Sequence, residues 1–109
     1  MTVCEMAKAL ALDPLAIAED DREFSGVYIG DLLSWVMGRA KSGNVWITIM
    51  SNINIVAVAS LTDVACIILA EGVALDETVR HTAQQKGVNI YTSEKTAYEL
   101  AAALASLPK

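Results

Sequence analysis

From Val45 to the end, short β-branched runs alternate with helical stretches: VWITIM, NINIVAVASLTD, VACIILA, LDETVRHTAQQKG, VNIY and TSEKTAYELAAALASL. Parallel strands need long crossovers, usually helical, so this alternation predicts consecutive βαβ units wound into a mostly parallel sheet. Val45, Val64 and Val88 should open three neighbouring lanes running the same way. The expected fold is a small, three-layer-like α/β domain. With 109 residues, one domain spans 1–109, divided into an amino-terminal helix and charged loop over 1–25 and a core over 26–104.

Local signals refine the elements. Thr2 and Glu5 form a capping box ahead of the helical stripe Val3, Met6, Ala7 and Leu10, and Asp13-Pro14 stops that helix. Leu15 to Ile17 suits a short strand. Glu19 to Glu23 (EDDRE) reads as a solvated loop, because burying it would strand charge. Gly26 to Ile29 is a strand, Gly30-Asp31 a turn with a helix cap, and Leu32, Leu33, Val36, Met37 and Ala40 a helix stripe. A C-cap glycine is expected at Gly43. Asp76 should cap the fourth helix and Gly87 close it, and Thr92 or Ser93 should cap the last.

The helix from about Ile53 to Leu61 has almost no polar face, and a helix apolar all round is buried all round. The chain is 54% hydrophobic with mean hydropathy +0.42, rich for so small a body. Ile55, Val56, Val58 and Ala59 are therefore candidates for a homodimer interface, and Asp at Val56 or Val58 should dissociate or unfold the chain.

Charge and cysteine usage narrow the partners. The net charge is −5, and the eight Lys and Arg are scattered rather than gathered into a basic patch, which argues against nucleic acid. A membrane span needs roughly 20 consecutive apolar residues. The best stretch, Ile55 to Leu75, holds Asp63 and Glu71, and an Asp at mid-bilayer costs about 3 kcal/mol. No export signal is expected, and Cys4 and Cys66 read as reduced thiols of a cytoplasmic protein.

Catalytic constellations are missing from the letters. His81, the only histidine, falls mid-helix among Arg80, Gln84 and Gln85. No metal-ligand spacing, Walker lysine loop or GxGxxG follows a strand, so no metal and no cofactor is expected. Asp20, Asp21 and Glu23 belong to the solvated loop. The remaining candidates come from the rule that open parallel sheets bind ligands beyond the carboxyl ends of their strands. Three such ends carry Ser51, Asn52 and Asn54; then Glu71 and Gly72; then Thr92 and Ser93. Glu71 would oppose a dianion there, which favours a neutral or weakly anionic metabolite, or a peptide.

Three segments carry a resemblance: GVYIGDLLSWVM, GNVWITIMSNINIVAVASLTDVACIILAEG and GVNIYTSEKTAYELAAAL. Together they resemble the DRTGG domain family over about residues 26 to 104. That family is similar to the amino-terminal domain of HPr kinase/phosphorylase and occurs beside phosphotransacetylase or CBS domains. The resemblance implies a regulatory or interaction domain without established catalysis, since the kinase active site resides in a separate domain. Where the family usually has Asp-Arg, this chain has Ser51-Asn52 followed by Ile53. Where it usually has Thr-Gly-Gly, this chain has Ala70-Glu71-Gly72.

The expected function is thus a non-catalytic regulatory module, a homodimer that binds a partner protein or small metabolite at the strand-end rim. The alternatives are a small enzyme using Asp21, Glu71 or Ser51 in acid-base work, and a structural subunit of a larger complex.

Overall fold

The caps written into the chain set its first and fourth helices. The computed structural model describes residues 1–108, in the order α1 (Val3–Ala9), β1 (Asp13–Ala16), β2 (Val27–Ile29), α2 (Leu33–Arg39), β3 (Val45–Thr48), α3 (Asn54–Thr62), β4 (Cys66–Leu69), α4 (Glu77–Lys86), β5 (Ile90–Thr92) and α5 (Ala97–Ala105). The Thr2–Glu5 box is formed, Asp76 accepts from the Val79 N–H, and Gly87 closes α4 at φ +73°. All three follow from residues that satisfy amides or adopt left-handed backbone at little cost.

The five strands form one sheet in the order β1-β5-β4-β3-β2. β2 to β5 run parallel, with Val45 opposite Cys66 and Ile67 opposite Ile90, so the three expected lanes lie side by side. β1 is the exception, pairing antiparallel with β5. Alternate residues face opposite layers. Trp46, Ile67, Leu69 and Ile90 pack with α2, α3 and α4, whereas Val45, Ile47, Cys66, Ile68 and Tyr91 pack with α1 and α5. The result is an α/β sandwich of three layers, with β3 and β4 wholly buried as central parallel strands should be.

Several local expectations are corrected. Asp31 does not cap α2; its Oδ1 accepts from Thr48 Oγ1 at 2.8 Å and from the Ile49 N–H at 3.0 Å. A tertiary partner has outcompeted the local helix amides. Thr92 and Ser93 do not cap α5, because Thr96 does so in a second capping box with Glu99. Gly43 is left-handed but lies beyond the end of α2, joining Ser25 to Asp63 through its backbone.

The four residues assigned to a dimer interface lie inside the chain's own core. Ile55, Val56, Val58 and Ala59 are at most 7% exposed and pack toward the sheet. Since α3 lies over the sheet beside α2 and α4, its outward residues are Asn54, Ala57, Ser60 and Leu61, with Ile53 exposed just before it.

The charged loop is tied down at the amino ends of the strands. The Arg22 and Asp20 carbonyls accept from the Val3 and Cys4 N–H groups at 2.8 and 2.7 Å, which satisfies the first turn of α1. The Arg22 guanidinium donates to the Asp63 carboxylate at 2.9 Å and to its carbonyl at 2.9 Å. These bonds, with one from Ser42, hold the Asp63 carboxyl below its usual range.

Candidate functional site

A crevice forms where neighbouring strands send their connections to opposite faces of a sheet. β4 and β5 do so: the chain leaves β4 for α4 on one face and β5 for α5 on the other. Between these exits lies a cavity of about 330 Å³ whose polar lining comes from Asp13, Arg80, Thr92, Ser93 and Glu94, and which Gly72 also lines.

The two strand-end loops are stitched together. The Glu71 N–H donates to the Lys95 carbonyl and the Gly72 N–H to the Ser93 carbonyl, each at 2.8 Å, while the Ser93 N–H returns to Leu69 at 3.0 Å. Both Glu71 (φ +61°) and Gly72 (φ +69°) are left-handed. At Gly72 a Cβ would sit 2.5 Å from Glu94 Oε2, so the absence of a side chain lets the carboxylate close over the loop. At Glu71 a side chain is carried in the same backbone conformation, which glycine adopts freely. Glu71→Gly is therefore expected to stabilise the fold by about 0.5–1 kcal/mol, read as a higher urea midpoint at unchanged slope. An unchanged or lower midpoint would show that the Glu71 side chain offsets its own backbone strain.

The seven expected site residues separate into three groups. Gly72, Thr92 and Ser93 line the β4–β5 cavity, with Thr92 Oγ1 3.3 Å from the Val73 carbonyl and Ser93 Oγ accepting from the Lys95 N–H at 3.2 Å. Asn54 lines a second cavity, over α3 and α4 with Val56, Ala57 and Lys86. Asn52 Oδ1 accepts from the Asn54 N–H at 2.9 Å, a local turn bond. Ser51 is half-buried, and Ser51, Asn52 and Glu71 line neither cavity.

Three polar cavity residues were not among those expected. Asp13 arrives on the antiparallel strand β1, and Glu94 follows Ser93 directly. Arg80 stands one turn into α4, with Nε donating to the Leu15 carbonyl at 3.0 Å and a guanidinium nitrogen 3.8 Å from Glu77. A cation near a helix amino terminus opposes the helix dipole, and that mismatch was the available signal for Arg80.

This chemistry can hold and orient a polar molecule. Two carboxylates and one guanidinium face the cavity, so a ligand of high negative charge meets net repulsion. The groups weighed for acid-base work are not assembled: Asp21 belongs to the loop at the amino ends of the strands, opposite Ser51 and Glu71, and His81 is exposed on α4. Among the described residues no three His, Cys, Asp or Glu side chains converge on a metal position, and no helix is long and apolar enough to cross a membrane.

Comparison with known proteins adds to this geometry. A family model described as the DRTGG domain matches residues 5–107. The fold is similar to a solved structure of the CBS and DRTGG domains of the regulatory region of Clostridium perfringens pyrophosphatase, complexed with the activator diadenosine tetraphosphate. The likeness has a TM-score of 0.75 at 14% identity, covering 98% of this chain and 47% of that one, so it is a likeness of fold and the chain spans about half the length of its neighbour. The search of curated proteins finds no match.

Proposed function

The chain belongs to the DRTGG domain family, and from that premise we propose that it is a non-catalytic regulatory module whose β4–β5 crevice receives a small metabolite or a segment of a partner protein. The observation that carries this reading is the crevice itself, with Arg80, Thr92, Ser93 and Glu94 gathered where the chain leaves adjacent strands for opposite faces. The pyrophosphatase neighbour is a regulatory region crystallised with a nucleotide activator, which supports a regulatory role here without supplying the ligand. The acidic pair Asp13 and Glu94 favours a neutral, zwitterionic or amine-bearing ligand over a polyphosphate.

A thermal-shift screen of amino acids, polyamines, nucleosides and diadenosine tetraphosphate tests this. A ligand at a hundred times its Kd adds about 2.7 kcal/mol, which raises Tm by roughly 10 °C in a domain of this size. Thr92→Val and Glu94→Gln should each abolish the shift. A shift that survives both variants would place binding elsewhere, and an unshifted panel would leave a protein segment as the occupant to be sought.

We include self-association in this reading. Large apolar side chains remain exposed at Val27, Ile29, Leu32, Trp35, Met37 and Ile49, and a second copy is the simplest cover for them. The two thiols are free, which accords with a cytoplasmic setting.

A further inference from the structure

The two edges of the sheet are built differently. β1 carries Pro14 and a register shift between Pro14 and Ala16, devices that blunt an edge against further pairing. β2, reading Val27-Tyr28-Ile29, has no proline, no charge and no bulge. Its inner side is consumed by β3: the Val45 N–H donates to the Gly26 carbonyl at 3.0 Å and the Gly30 N–H to the Ile47 carbonyl at 3.2 Å. In a parallel ladder this assigns the even-numbered residues to β3, so Val27 and Ile29 direct their N–H and C=O groups outward.

We infer that β2 pairs antiparallel with β2 of a second copy, joining the two sheets into one across a two-fold axis at Tyr28. The mode rests on the self-association proposed above and specifies its surface. Val27 would stand opposite Ile29 of the other copy as a doubly hydrogen-bonded pair, twice over, with the two Tyr28 residues facing each other between them. Three observations favour a second copy of this chain as the occupant.

First, the edge is self-complementary, since residues one step either side of Tyr28 offer one donor and one acceptor each. Second, Val27 and Ile29 are 40% and 49% exposed and open onto an apolar groove of about 560 Å³ floored by Phe24, Leu104 and Leu107. In an antiparallel pair, opposed side chains share a face, so each copy's Val27 and Ile29 would seat against the other's groove. Leu32, Trp35, Met37 and Ile49 expose further large apolar side chains toward the roughly 800 Å² per partner of a standard interface, and the strand backbones add to it. Third, residues 24–49 hold one acid, Asp31, and two bases, Arg39 and Lys41, in a chain of net charge −5. Two copies can meet here without bringing their acids together.

The test is sedimentation at micromolar concentration, with circular dichroism to verify folding. Wild type should run as a dimer of the 11.6 kDa chain. Val27→Lys/Ile29→Lys should run as a folded monomer, because two half-exposed positions accept lysine while the pairing would oppose four ammonium groups. In a Cys4→Ser background, Tyr28→Cys should form a covalent dimer on oxidation, since facing residues of a non-hydrogen-bonded pair lie about 4.5 Å apart at Cα. A dimer that persists in the double lysine variant and fails to crosslink through position 28 overturns this mode while leaving self-association standing. A wild-type monomer overturns both.

Discussion

Val56→Asp is expected to leave the chain unfolded at room temperature. Val56 is 2% exposed within the cluster that also holds Trp46, Ile67 and Leu69. A carboxylate there must either remain charged in an apolar surround or take up a proton and lose hydrogen bonds to water. With the loss of packing the cost is about 5 kcal/mol or more, as much as the whole stability of a small domain. Circular dichroism on heating should show no cooperative transition. Leu61→Asp is the control: Leu61 is 73% exposed on the same helix, and its variant should melt with wild type. A cooperative, unshifted melt for Val56→Asp would mean that α3 does not seat this face on the sheet.

The second large effect is expected at Asn89. Its side chain is 2% exposed and makes three bonds: Oδ1 accepts from the Ala18 N–H at 2.7 Å, and Nδ2 donates to the Glu19 carbonyl at 2.9 Å and the Ala65 carbonyl at 3.1 Å. One amide thus fastens the segment entering the charged loop to the amino end of β4. Asn89→Ala strands a donor and two acceptors, costing about 2–4 kcal/mol. Asn89→Asp should rescue little, because a carboxylate retains the acceptor but turns the donor toward two carbonyls as a second acceptor. Gln84 bonds the backbone of Ile17 at the same junction from an exposed position, and Gln84→Ala should cost less than about 1 kcal/mol. Urea unfolding separates the cases; equal losses for Asn89→Ala and Gln84→Ala would refute the tether at Asn89.

The parallel lanes were legible because strands buried on both faces must be apolar throughout, and Val64 to Ala70 is. The caps at Thr2, Asp76 and Gly87 were legible because each works through its immediate neighbours. Asp31 was misread for the complementary reason: a turn followed by an apolar stripe describes a helix cap, while the bond that decides its role reaches across to Thr48. The inward side of α3 was unreadable, since a run of Ile, Val and Ala marks no face as outer. In the crevice, Gly72, Thr92 and Ser93 followed from the strand-end rule. Arg80 and Asp13 did not, because they come from a helix and from an antiparallel strand whose partner lies at the far end of the chain.

That distant pairing bears on how the chain is made. β1 aligns Asp13 with Thr92, so residues 13–16 join the sheet only once β5 has formed. While the ribosome extends the chain, Asp13–Ala16 has no strand to pair with. The order of synthesis thus leaves β1 open to chaperones and proteases until β5 is complete.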